Sequence, residues 1–125
     1  MAKTKSVELQ LREILNEYNK HVQDVTNNSI RDISKEAVQK LRNTSPKRTG
    51  AYARSWTLKK LSSYGGIDDV VVHNSKHYQL THLLENGHVI RNKKGNFGRT
   101  NGIKHIAPVA EWADNELQSK IERDL

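Results

Sequence analysis

From Val7 to Arg42 the chain runs for 36 residues without a glycine or a proline. No other feature limits the fold as strongly, because nothing in that stretch forces a helix to end. Its apolar residues fall at Val7, Leu11, Ile14, Leu15, Tyr18, Val22 and Val25, and resume at Ile30, Ile33, Ala37, Val38 and Leu41. Spacings of three and four place them along one stripe of a helix. Unbroken, that helix would be about 54 Å long at 1.5 Å per residue. The 125 residues fit a single domain, residues 1 to 125. The weak point is Thr26-Asn27-Asn28-Ser29, four poor helix formers in a row. Ser29 and Asp32 also have the spacing of a capping box. Residues 7–42 are therefore either one helix kinked at 27–29 or two helices with a short corner. In both cases the stripe must bury itself on something. A helix longer than its own domain would project toward a neighbouring subunit.

Pro46 ends this region and pushes Ser45 toward extended geometry. Gly50 predicts a turn, and loose alternation predicts a strand over 52–61. A turn with Gly65-Gly66 leads to a second short strand carried by Val70-Val71-Val72, giving a hairpin. Two strands alone are marginal, so further sheet is expected from 88–91 and 103–106. A short helix over 78–85 presents Leu80, Leu83 and Leu84, with Gly87 in a natural terminating position. Residues 91–104 read as a basic flexible loop, residues 1–6 as a flexible terminus. A last helix begins after Pro108, with the stripe Val109, Trp112, Ala113, Leu117 and Ile121. The expected fold is α+β: a long N-terminal helical region and a C-terminal helix packed on a small antiparallel sheet, with one short internal helix.

Hydrophobic residues make up 34% of the chain, which permits one small core and leaves room for a partner to supply burial. There is no cysteine, which excludes disulfides and thiol chemistry. No apolar run has the length of a membrane span, and the first ten residues lack the apolar segment of a signal peptide. The expectation is a chain used in a soluble phase, with no membrane partner. Net charge is +7 and uneven: +2 over 1–45, +8 over 46–105 and −3 over 106–125. A basic middle with an acidic tail suits a nucleic-acid surface. It suits equally a subunit whose basic edge meets the acidic edge of its neighbour.

Five of the six histidines (His73, His77, His82, His88 and His105) fall within 33 residues, the best argument for a metal. Their spacings match no established zinc pattern, so no metal or other cofactor is expected. Helix-end and rim histidines bonded to backbone are the plainer reading. Ser45, Ser55 and Ser75 lie in no nucleophile elbow, and Asp68-Asp69 would point to opposite faces of a strand. No catalytic residue is assigned and no enzyme is expected. Phosphate contacts from Lys47-Arg48, Lys59-Lys60, Arg91, Lys93-Lys94 and Arg99 remain open, although aromatic residues do not interleave with them. Phe97, the only phenylalanine, sits between glycines in the basic loop as a candidate anchor for a neighbour's pocket. Trp56 and Trp112 are assigned to the core or to a helix–sheet contact.

Three segments carry a resemblance: SPKRTGAYARSW (45–56), YQLTHLLENGHVIRNKKG (78–95) and HIAPVAEWADNELQSKIERDL (105–125). Together, over residues 7–125, the chain resembles the small neck and tail-completion proteins of long-tailed bacteriophages, described as tail components or minor structural proteins. The matching positions are Pro46, Thr49, Gly50, Ser55, Trp56, His82, Leu83, Leu84, Glu85, Gly87, His88, Arg91 and Pro108. Where many relatives have Arg-Pro before an aromatic residue, this chain reads Lys104-His105-Ile106, which lacks that rigid turn. The resemblance implies a structural, non-enzymatic virion protein that is in the host cytoplasm during assembly. It implies a homo-oligomeric ring at the head–tail junction, between head-completion and tail-terminator proteins, with DNA passing through its bore. Within that frame Leu83 and Leu84 anchor the short helix, Gly87 ends it, and Glu85 pairs with His82 or Arg91. Glu85 is expected to be partly buried and hydrogen-bonded, because an unpaired buried carboxylate is too costly. The expected interface joins Arg91, Lys93, Lys94, Phe97, Arg99 and Lys104 of one subunit to the acidic final helix of the next, through Glu111, Asp114 and Glu116. The rival reading is a basic protein that binds duplex DNA directly.

Overall fold

The computed structural model describes residues 6–63, 65–92 and 95–125, and only the backbone of residues 90, 91, 92, 96 and 97. In chain order the elements are α1 (Val7–Thr44), α2 (Ala51–Arg54), β1 (Trp56–Lys60), β2 (Val70–Asn74), α3 (Leu80–Asn86), β3 (Val89–Asn92), β4 (Gly95–Arg99) and α4 (Ile106–Asp124). The fold is α+β, as expected.

The 38 residues of α1 form one helix of about 57 Å. Ser6 caps it, its hydroxyl accepting from the Leu9 amide at 3.1 Å. The helix does not stop at 27–29, and tertiary contacts explain why. Asn27 turns outward: its Nδ2 donates to the Gly66 carbonyl at 2.9 Å, and its Oδ1 accepts from the Asp68 amide at 2.9 Å. The side chain that would compete with its own backbone is thus engaged on the β1–β2 turn. Gln23 reaches the same turn through Gly65. Ser29 is buried in mid-helix and caps nothing, while Asp32 lies 3.6 Å from Lys120 of α4.

The strand expected over 52–61 starts later. Gly50, at φ 83°, opens the helical turn α2, and Ser55 closes it by donating from Oγ to the Ala51 carbonyl at 2.7 Å. Only Trp56–Lys60 is strand, paired antiparallel with β2 from Trp56↔Asn74 to Lys60↔Val70. The expected contribution of 103–106 to a larger sheet is absent, because Ile106 already belongs to α4. Instead β3 and β4 form a separate two-stranded sheet, paired from Val89↔Arg99 to Asn92↔Gly95 with a shift in register between Val89 and Arg91. Much of the expected basic loop is therefore hairpin, and Lys93 and Lys94 lie outside the described residues.

The core gathers Ala37, Val38 and Leu41 of α1, Tyr52, Trp56 and Val109, with Leu58, Val72, Leu84, Ile106 and Trp112 packed against it. Trp56 is buried, and the Lys40 ammonium lies 4.5 Å from the centre of the Trp112 ring. Of the expected α3 face only Leu84 packs on this core; Leu80 and Leu83 stay exposed. Everything in α1 before His21 is exposed. Among the described residues no helix is long and apolar enough to cross a membrane.

Candidate subunit interface

Glu85 ties α3 to the N-terminus of α4. Its Oε1 accepts from the backbone amides of His105 and Ile106 at 2.7 and 2.9 Å, and its Oε2 from Ala107 at 2.9 Å. These are the first amides of α4, which have no acceptor inside their own helix. The next residue, Pro108, has no amide to satisfy. One carboxylate and one proline thus close the N-terminus of α4, where the helix dipole also favours negative charge. Burial alone would raise the pKa of Glu85. The three amides and nearby His105 outweigh it and hold the carboxyl below its usual range. Of the two partners expected for Glu85, His82 is exposed and makes no bond to it, and the side chain of Arg91 lies outside the described residues.

His105 is the most deeply buried large residue, with 1% exposure. Its Nδ1 lies 2.7 Å from the Ile103 carbonyl and 3.0 Å from Glu85 Oε1. Two acceptors on one side place the ring proton on Nδ1, so Nε2 accepts from the Tyr52 hydroxyl at 2.8 Å. Tyr52 and Trp56 meet the His105 ring edge-on. Burial, with the Glu85 charge adding to it, pushes the Tyr52 hydroxyl up to about 12.

This network accounts for the SPKRTGAYARSW motif. Trp56 Nε1 donates to Ser45 Oγ at 2.8 Å, and Ser45 Oγ donates to the Leu41 carbonyl. Arg42 donates from Nε and Nη2 to the Trp56 carbonyl at 3.1 and 2.8 Å. Asn74 Nδ2 donates to the Tyr52 carbonyl at 2.8 Å. The corner after α1 is thus fixed by side chains bonded to backbone, with Trp56 at its centre. Thr49 accepts from the Ala51 amide at 3.3 Å.

Gly87 and Gly102 let two backbones cross at the base of the β3–β4 hairpin. A Cβ on Gly87 (φ 79°) would lie 2.8 Å from Gly102 N, and one on Gly102 would lie 2.5 Å from the Asn86 carbonyl carbon. The Ile103 amide donates to Leu84 at 2.8 Å, and Thr100 bonds His88 through backbone and Oγ1. Arg99 Nη2 and Lys104 Nζ both reach Asn86. These two cations are therefore held against α3. The side chains of Arg91 and Phe97, like Lys93 and Lys94, lie outside the described residues.

Among the described residues, three surfaces bear on assembly. The first is a groove of about 270 Å³ between α1, β2 and α4, lined by Ile33, Val72 and Leu117 and rimmed by Asp68, Asp69 and Asp114. Glu111 is exposed on the same helix, and Glu116 is half-buried. The sequence marks Asp68-Asp69 only as a possible catalytic acid pair and not as part of an interface, because their meeting with α4 is purely tertiary. The second is a groove of about 320 Å³ between the Pro46–Tyr52 segment and α3, lined by Arg48, Tyr52, His77, Leu80 and Leu84 among others. The third is the arm formed by the start of α1, where Val7, Leu11, Ile14, Leu15 and Tyr18 are all more than half exposed. Among the described residues no three of His, Asp and Glu converge to hold a metal ion.

No curated protein and no solved structure matches the chain. A family model described as "Bacteriophage HK97-gp10, putative tail-component" matches residues 10–87. The match spans most of α1, the Trp56 corner, the β1–β2 hairpin and all of α3, ending at Gly87. The β3–β4 hairpin and α4, to which the resemblance read from the sequence extended, lie beyond it. Matched over more than half its length, the chain belongs to this family of bacteriophage tail components.

Proposed function

We propose that the protein is a structural, non-enzymatic subunit of the neck of a tailed phage. Copies form a ring between the head-completion and tail-terminator proteins, and DNA crosses its bore without sequence-specific contacts. The observation that carries this reading is the α1 arm. Five large apolar side chains on a helix projecting beyond its own core form a surface that water disfavours and a neighbouring subunit would cover. Charge supports the same view. The β3–β4 hairpin belongs to the +8 segment, and the α1–β2–α4 groove offers Asp68, Asp69 and Asp114 to receive it, beside Glu111 and Glu116. Such a contact is heterologous, and a heterologous contact that closes makes a ring.

The test is replacement of Glu111, Asp114 and Glu116 by lysine in the phage genome. Infectious particles should fall, with unjoined heads and tails visible by electron microscopy. Unchanged yield would reject the pairing. The second reading, a direct grip on duplex DNA, draws on the +8 of residues 46–105. It requires salt-dependent DNA binding by the isolated chain, whereas the ring reading requires none.

A further inference from the structure

We infer that the α1 arm of one copy seats its Leu11, Ile14, Leu15 and Tyr18 stripe in the groove between the Pro46–Tyr52 segment and α3 of the next copy. The inference deepens the ring reading, and rests on it for the head-to-tail order of copies. Four observations meet here. The stripe is exposed, with Ile14 at 62% and Tyr18 at 58%. The groove has an apolar wall of Tyr52, Leu80 and Leu84, where Leu80 is itself uncovered.

The charges match. Residues 7–19 carry Glu8, Glu13 and Glu17 against Arg12 alone. The groove is lined by Arg48 and His77, exposed Lys47 and Lys76 adjoin them in sequence, and residues 37–67 and 70–84 contain no carboxylate. An arm laid on another copy's arm would instead bring three glutamates against three.

The fourth observation decides between self and neighbour. Leu15 and Ser45 are separated by a single uninterrupted helix, which holds them about 45 Å apart. The arm therefore cannot fold back into its own groove, whose first residue follows the end of that helix. A second copy can supply the groove, and the contact then joins the N-terminal end of one α1 to the C-terminal end of the next. This is heterologous geometry and repeats from copy to copy.

The absence of cysteine allows a direct test on the full-length chain. One batch carries Ile14→Cys and another Leu80→Cys, both at exposed positions, with folding checked by circular dichroism. Treated with a short bismaleimide, the mixture should give a covalent dimer that neither batch gives alone. Adding Arg48→Glu to the Leu80→Cys chain should lower its yield by about tenfold, and Glu13→Lys with Glu17→Lys on the arm should restore it. Coupling within the Ile14→Cys batch alone would mean arm-to-arm pairing and would overturn the inference. So would no coupling in the mixture, which would leave the arm to a different protein. Neither result depends on particle yield, so a failed cross-link and a failed neck assignment are separately visible.

Discussion

Glu85 and His105, twenty residues apart, meet twice: the His105 amide donates to Glu85 Oε1 at 2.7 Å, and the His105 ring Nδ1 lies 3.0 Å from the same oxygen. A carboxylate from α3 therefore serves as the cap that α4 lacks in its own sequence, since His105 in the capping position makes no side-chain cap bond. Replacing Glu85 with Ala leaves three buried or half-buried amides without an acceptor and should cost about 2–4 kcal/mol. Glu85→Gln keeps one acceptor and should lie between. Urea unfolding, with an unchanged slope, measures the order wild type, Gln, Ala. Because the folded carboxyl sits below its ordinary value of 4.5, its contribution is present above that pH and is lost as pH falls through the folded value. Wild type should lose stability on acidification more steeply than Glu85→Gln, and parallel curves would refute the cap.

How far the sequence reveals this arrangement depends on the kind of interaction. The α1 stripe is legible because helical periodicity survives in a single chain, and the β1–β2 hairpin because its valines and Gly65-Gly66 form a local pattern. That Glu85 must be bonded follows from desolvation. Its partners do not, because they are backbone amides, which every residue carries. His105 looks like any other histidine of its segment until the fold brings Tyr52 to its Nε2. The β3–β4 hairpin reads as loop because Gly95 and Gly98, at φ 125° and 94°, give the same composition to a strand as to a turn. Periodicity shows that the Leu11–Tyr18 stripe must be covered, without showing that its own domain ends short of it.

Asn27 tests why α1 runs unbroken. Alanine is the better helix former by up to about 0.7 kcal/mol. Yet Asn27→Ala removes two bonds to the β1–β2 turn, at Gly66 and Asp68, each worth about 1 kcal/mol. The lost bonds outweigh the propensity gain, so the variant should be less stable by about 1 kcal/mol. Amide exchange should quicken around residues 66–68. A more stable variant would mean that the turn is held elsewhere.

The Tyr52–His105 bond predicts both a stability and a titration. Tyr52→Phe strands the buried Nε2 of His105 and should cost about 1–3 kcal/mol. In a difference titration of wild type against Tyr52→Phe, followed by tyrosinate absorbance, the missing phenol should ionise near 12. Since the folded value is raised above 10.0, the neutral phenol stabilises the fold below pH 10. That stabilisation is lost as pH rises from there through the folded value. A difference signal centred near 10 would show the hydroxyl to be open to solvent.

The α1 arm separates folding from assembly more cleanly than any other element. Leu11, Ile14 and Tyr18 are exposed and lie outside the core, so Ile14→Glu should change unfolding free energy by less than about 0.5 kcal/mol. If a neighbouring copy covers the arm as proposed, the same change places a carboxylate in that contact, and burying it unpaired is strongly unfavourable. Phage carrying Ile14→Glu should therefore make soluble, folded protein and few infectious particles. Leu41→Glu, at a core position, should lose both protein and particles. Soluble yield on blots and plaque counts from the same cultures distinguish the two. If Ile14→Glu phage plate normally, the arm has no partner in the virion, and its exposed stripe needs another explanation.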